Sequence, residues 1–217
     1  MKLTAAVALA VVATILSPVP ARAQADRWIL KARAFGLIAD DDSDTVASTG
    51  TSIAVANSAG GEVAATYFPI PRWGLELTAA AAPLDLSTVG GQSPGLDAGS
   101  VDLLSAMLAL QYHFPTIGRL DPYLGVGVVF GRLAGYSATD DLLAAGIADI
   151  TFSKVFRLYT QAGIDMEIGR GWLLNLDLRY VPMTTQLDLL TADGASFDKV
   201  ALQINPILVS FGIGHSF

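Results

Sequence analysis

Ile207-Leu208-Val209-Ser210-Phe211-Gly212-Ile213-Gly214-His215-Ser216-Phe217 alternates without a break. Ile207, Val209, Phe211, Ile213, His215 and Phe217 fall on one face. Ser210, Gly212, Gly214 and Ser216 fall on the other. Successive side chains of a β-strand point to opposite faces, so this segment has one greasy side and one small, polar side. A water-soluble fold has little use for a closing strand of this kind. A transmembrane barrel requires it, because each strand shows apolar groups to lipid and polar or small groups to the lumen.

The same alternation recurs upstream. Leu158, Thr160, Ala162, Ile164, Met166 and Ile168 share one face, and Arg157, Tyr159, Gln161, Gly163, Asp165 and Glu167 the other. Trp172, Leu174, Leu176, Leu178 and Tyr180 oppose Asn175, Asp177 and Arg179. A half-buried strand of a soluble sandwich has the same period. Repetition along a chain that is 52% hydrophobic favours lipid as the partner of the greasy face. After residue 25 no apolar run reaches the roughly 18 residues of a spanning helix, so strands are the remaining way across a bilayer.

Residues 1–25 read as a secretory signal. Lys2 is the positive start, Leu3 to Leu16 the apolar stretch, and Pro18 and Pro20 break it before the small-residue site Ala23-Gln24-Ala25. Ala21-Arg22-Ala23 is the second choice. The alternative, a membrane anchor, needs roughly 20 apolar residues, and this run is shorter. Cleavage after Ala25 removes Lys2 and Arg22, taking the net charge from −7 to −9. The acidic balance argues against nucleic-acid binding. The absence of cysteine excludes disulfides and thiol chemistry.

Strands are expected near 27–39, 61–69, 73–82, 103–114, 121–132, 155–168, 172–184 and 201–217. Eight is the smallest bacterial barrel. The fold expected is therefore all-β, an eight-stranded antiparallel transmembrane barrel formed by residues 26–217. Connections alternate in length. Pro69 to Arg72, Pro115 to Leu120 and Gly169 to Gly171 are short, whereas 40–60, 83–102, 133–154 and 185–200 are long and polar. Short periplasmic turns and long extracellular loops place both termini in the periplasm. Thr139-Asp140-Asp141 would cap a short helix in the third loop. Tyr67, Phe68, Trp73, Tyr112, Phe114, Tyr123, Trp172 and Phe217 gather at the short-turn end, as an aromatic girdle would.

Several segments resemble the outer membrane protein W (OmpW) family. They are Trp28 with Arg33-Ala34, Trp73-Gly74-Leu75-Glu76-Leu77, and Leu110-Gln111-Tyr112-His113-Phe114. Further along come Asp121-Pro122-Tyr123-Leu124-Gly125-Val126-Gly127-Val128 and Gln161-Ala162-Gly163-Ile164-Asp165. Last are Trp172 to Tyr180 and Gly212-Ile213-Gly214-His215-Ser216-Phe217. His215 stands where the family pattern has Tyr or another large apolar residue, and the first loop lacks the usual proline. The resemblance implies passage of small hydrophobic molecules across the outer membrane of a Gram-negative envelope. The route it implies is an apolar pocket near the extracellular end that opens sideways to lipid. It also makes Phe217 the signal read by the barrel-assembly machinery. Outer-membrane lipid, lipopolysaccharide and small hydrophobic molecules are the other expected partners.

Lys31, Arg33, Glu62, Glu76, Arg157, Asp165, Glu167, Asp177 and Arg179 are expected to face inward. In a lumen just wide enough for side chains they should pair, because an unpaired buried charge is costly. The cluster then serves either as a structural plug or as an ion path. Above it, Leu37, Phe130, Leu133, Leu142, Leu143, Ile147, Ile150 and Phe152 either line an apolar pocket or pack the loops together. No cofactor, metal or catalytic residue is expected. Barrel hydrolases need a histidine near Ser or Asp on the outer side, and His113 and His215 both fall at the periplasmic rim. Asp40-Asp41-Asp42-Ser43-Asp44 lacks EF-hand spacing and reads as a solvated loop, with Ca²⁺ binding as the alternative. Three functions stay open: a conduit for apolar molecules, a filled structural or partner-binding barrel, and a periplasmic lipid-binding barrel.

Overall fold

A computed structural model describes residues 27–38, 41–43, 51–55, 57–90, 97–137, 147–152, 155–191 and 196–217. Thirteen strands occur among them: β1 (Trp28–Ile38), β2 (Asp41–Ser43), β3 (Thr51–Val55), β4 (Ser58–Ile70), β5 (Trp73–Gly90), β6 (Asp97–His113), β7 (Leu120–Ser137), β8 (Ile147–Phe152), β9 (Val155–Gly169), β10 (Trp172–Tyr180), β11 (Met183–Thr191), β12 (Ser196–Ile204) and β13 (Ile207–Ser216). The segment read as a signal and the helix expected at Thr139 to Ala145 lie outside the described residues.

Eight strands close on one another in the order β5-β4-β1-β13-β10-β9-β7-β6, with β6 returning to β5. Every pairing is antiparallel. First and last strands pair from Ile29–Ser216 to Ile38–Ile207, and two further backbone hydrogen bonds extend the ladder, from Trp28 N to Phe217 O (3.1 Å) and from Phe217 N to Trp28 O (2.9 Å). Where all eight ladders run, closure pairs every strand on both sides, the condition for crossing lipid with strands.

The strands obey the period of two. On β10, Leu173, Asn175, Asp177 and Arg179 are buried, while Leu176, Leu178 and Tyr180 are exposed. On β13, Leu208, Ser210 and Gly214 turn inward against exposed Ile207, Val209, Phe211 and Ile213. Leu75, Leu77, Leu108, Leu110, Leu124, Val126, Leu158 and Met166 continue the exposed apolar band around the wall. A band of this extent is untenable in water and is what a lipid-facing wall requires.

The short turns rest on backbone that glycine makes available. Gly169 and Gly171 adopt φ of 104° and 78°, flanking Arg170 at 56°, and Gly118 adopts 66°. Among the described residues, Arg72 is the other non-glycine residue at positive φ, 68°. Aromatics ring the outer face at this end. Trp28 lies 4.8 Å from Tyr67, Trp73 5.1 Å from Tyr112, Tyr112 5.2 Å from Phe114, and Trp172 4.9 Å from His215, measured between ring centroids. Tyr123 and Phe68 are exceptions to the expected girdle. Tyr123 is buried in the lumen and Phe68 packs inward against His113 (4.8 Å). Both sit at inward register positions, which overrides their closeness to a turn.

The long connections contain more strand than their composition suggests. β5, β6 and β7 run well past the expected ends at residues 82, 103 and 132, pairing Leu86 with Gly99 and Ser100 with Ser137. β2, β12, β11 and β8 form a separate four-stranded sheet. Asp41 and Asp42 of the acidic run belong to that sheet, paired with Ile204 and Gln203. The expected strands 172–184 and 201–217 are each interrupted, at Val181-Pro182 and at Asn205-Pro206. Proline has no N–H for a ladder bond, so each break falls where pairing changes partner.

Candidate functional site

The lumen is filled by ionic and polar side chains supplied by strands in register. Arg33 stands opposite Glu62 on one side and Gly212 on the other. Beyond Gly212 comes Asn175, then Asp165. These neighbours in the wall project toward a common axis. Lys31, Arg33 and Arg179 supply three buried cations against the four buried carboxylates of Glu62, Glu76, Asp165 and Asp177.

Arg179 meets Glu62 through two nitrogens, Nη1 to Oε2 at 2.7 Å and Nη2 to Oε1 at 3.0 Å. Glu62 is shared, for Arg33 Nε lies 2.5 Å from its Oε1. Arg179 Nε is 2.8 Å from Asp177 Oδ1. Lys31 Nζ is 3.0 Å from Asp165 and 3.5 Å from Glu76, and Arg33 Nη2 is 3.2 Å from Glu76. Neutral donors complete the set. The Tyr123 hydroxyl donates to Asp177 (2.7 Å), and Gln161 Nε2 donates to Asp177 (2.7 Å) and Glu76 (3.1 Å). Asn175 Nδ2 donates to Asp165 (2.6 Å) and Tyr123 (3.0 Å). Buried charges survive when paired, and every charge of this cluster has an opposite partner. Asp165 Oδ2, Asp177 Oδ1, Arg33 Nε and Arg179 Nε make ion pairs without hydrogen-bond geometry.

Glycines make space for it. A methyl at Gly163 would fall on the Tyr123 ring, one at Gly127 on the Tyr159 ring, and one at Gly212 on the backbone of Ala32 and Arg33. Gly127 and Gly163 thus leave room for rings on the facing strand, and Gly212 for a close approach of the β1 backbone. Tyr123, Gln161 and Asn175 were not among the expected site residues. Their signal was the inward register they share with Arg33 and Asp165.

Arg157 and Glu167 share the inward face of β9 but lie at its two exposed ends, outside the cluster. Arg157 Nη1 donates to the carbonyl of Phe156 (2.8 Å). His113 is at the short-turn mouth, its Nδ1 3.0 Å from Asp121 and its Nε2 3.3 Å from Gln111. No group of three or more His, Cys, Asp or Glu spaced for a metal occurs among the described residues.

Toward the long loops the inward face becomes apolar. Phe35, Leu37, Leu84, Val101, Met107, Val129, Val181 and Leu208 are all buried. Leu37 is thus on this surface, as expected. Phe130 is not. It is 54% exposed on the outer face and packs against Phe156 (4.7 Å), because Val129 occupies the inward register beside Met107. Leu133 lies in β7 opposite Leu103, Ile147 opposite Thr191, and Ile150 and Phe152 opposite Leu189 and Leu187. Leu142 and Leu143 lie outside the described residues. A cavity of about 580 Å³ lies at the opposite, short-turn mouth.

A closed eight-stranded barrel with a lipid-compatible wall and a plugged lower lumen is an outer-membrane barrel. The chain belongs to the OmpW family, whose model matches residues 24–217. Outer membrane protein AlkL of Ectopseudomonas oleovorans is 33% identical over 117 residues, 54% of this chain and 47% of AlkL. The dibenzothiophene metabolism operon protein PahQ of Pseudomonas aeruginosa is 27% identical over 146 residues, 67% of this chain and 65% of PahQ. The matched segments thus span from just under half to just under two thirds of these relatives. Among solved structures, the outer membrane protein OprG of Pseudomonas aeruginosa superposes with a TM-score of 0.78 at 21% identity, covering 89% of this chain and 97% of OprG. This likeness shows the fold.

Proposed function

We propose that the barrel gives small hydrophobic molecules passive passage through the apolar loop-side half of its lumen. The observation that carries this reading is the division of the lumen into two layers. Lys31, Arg33 and Arg179 with their carboxylates fill the lower layer. Phe35, Leu37, Val101, Met107, Val129 and Leu208 surface the upper one. An apolar solute entering from outside meets favourable surface and then a desolvated ionic layer that it cannot cross. Its exit is sideways.

The wall supports a lateral exit at one place. The β9–β10 ladder stops at Thr160–Tyr180, while β9 continues upward to Val155 along β7 only. β11 then pairs with β8 instead. Among the described residues, the stretch of β9 from Val155 to Tyr159 has no ladder partner on the β10 side. The name of PahQ, tied to a dibenzothiophene metabolism operon, fits a flat apolar solute of this class. A filled structural or partner-binding barrel is the second reading, favoured by the burial of Glu76, Asp177 and Arg179 in the ionic layer.

The test is uptake of dibenzothiophene into vesicles carrying lipopolysaccharide in the outer leaflet, since a plain phospholipid bilayer dissolves such a solute unaided. Faster uptake with the protein, without a steady ion conductance, supports the conduit. Uptake equal to that of protein-free vesicles favours the structural reading.

A further inference from the structure

We infer that the short-turn mouth is a binding site for amphipathic organic anions, namely a carboxylate on a medium-length apolar chain. By the orientation rule for such barrels this mouth faces the periplasm. Its cavity of about 580 Å³ lies within the range of small-molecule sites, roughly 300–1,000 Å³. It lies below the ionic layer, so the inference does not depend on the conduit reading.

Three arginines from three separate segments line this cavity. Arg27 precedes β1, Arg72 sits in the β4–β5 turn, and Arg119 sits in the β6–β7 turn. None of them makes an ion pair or a side-chain hydrogen bond among the described residues. The carboxylates on the same wall are mostly committed. Asp165 is held by Lys31 at 3.0 Å and by Asn175 at 2.6 Å, and Asp121 by His113 at 3.0 Å. Glu167 is uncommitted, and the charge of Asp121 stays uncompensated unless His113 is protonated, so two carboxylates stand against three arginines. The free charge of the mouth is therefore positive, in a protein whose net charge is −7.

The walls between the arginines are apolar. Ile29, Phe68 and Leu173 face into the cavity from β1, β4 and β10. A small inorganic anion would use the guanidinium groups and leave this surface wet. A neutral hydrocarbon would use the surface and leave the guanidinium groups idle. An amphipathic carboxylate uses both, and the planar guanidinium suits it because two parallel N–H donors match two carboxylate oxygens.

The experiment is a titration of octanoate into the intact barrel in phosphatidylcholine nanodiscs. Methyl NMR signals of Ile29 and Leu173 and the Nε–H signals of the arginines are followed. Saturable shifts of both sets are expected with octanoate. At the same concentrations, octanol and acetate should bind at least tenfold more weakly. Arg72→Asn with Arg119→Gln should weaken octanoate at least tenfold. Asparagine tolerates the left-handed backbone at position 72, and unchanged heat-modifiability in SDS verifies that the variant is folded. Octanol matching octanoate would reduce the site to apolar partitioning and overturn the inference. Acetate matching octanoate would reduce it to a counter-ion site, and an unaffected double variant would remove the arginines from it. Each of these results contradicts the proposal.

Discussion

Arg179 and Glu62, 117 positions apart in sequence, form a two-pronged ion pair at 2.7 and 3.0 Å inside the barrel, with both side chains fully buried. The pair joins β10 to β4, which are not neighbours in the wall. It therefore braces the lumen across its width.

Removing one partner leaves the other charged and desolvated. Glu62→Gln or Arg179→Met alone should each destabilise the barrel by about 3–5 kcal/mol. The double variant should lose less than the sum, since the Arg179–Glu62 contact is lost only once, although Arg33 and Asp177 each give up one partner. Urea unfolding in detergent or lipid checks this. Additive losses would mean that the two residues act independently.

Gly163 lies beneath Tyr123, and a methyl there would strike the ring. Gly163→Ala should destabilise by about 1–3 kcal/mol through overpacking. In a Tyr123→Leu background the same substitution should be nearly neutral. An equal loss in both backgrounds would point to a backbone effect instead.

Much of this was legible in the sequence. The alternation of Ile207 to Phe217 and of Trp172 to Tyr180 stated which residues face lipid, because a period of two admits only two faces. Arg33, Asp165 and Arg179 were identifiable as lumenal on the same ground. Closeness to a loop is a poor guide to the face on which Phe130 lies. Its register assigns the inward position to Val129. The upper sheet of β2, β8, β11 and β12 escaped notice because its segments mix Asp, Ser, Thr and Ala with Leu, a composition shared by strands and loops. The arginines of the short-turn mouth carry no sequence signal at all. Only closure of the barrel brings Arg27, Arg72 and Arg119 to one cavity.

Leu176 is at the middle of β10 and half exposed on the outer face. Leu176→Arg should destabilise the membrane-embedded barrel by about 2–4 kcal/mol, whereas Ile168→Arg, one residue from the β9–β10 turn, should lose about 0–1 kcal/mol. Depth in lipid is the only large difference between the two sites. Equal losses in unfolding titrations from lipid would contradict the placement of the bilayer.

Phe217 closes the ring through its reciprocal hydrogen bonds with Trp28. Deleting it removes both bonds and one member of the aromatic rim, so outer-membrane levels should fall severalfold. Quantifying the protein in fractionated membranes tests this. Normal levels would show that neither closure nor recognition by the assembly machinery needs this residue.

The central claim is that apolar molecules travel along the upper lumen surface. Leu37 is buried there, opposite Leu208 and Ser58. Leu37→Glu places an unpaired carboxylate on the route while leaving the outer wall and the ionic layer untouched. The most direct measurement is the initial rate of dibenzothiophene uptake by Gram-negative cells making equal amounts of either form, each verified as folded by heat-modifiability. The account predicts that the parent protein speeds uptake over cells lacking it and that Leu37→Glu abolishes at least nine tenths of that gain. Undiminished uptake in the variant, or no gain with the parent, would contradict it.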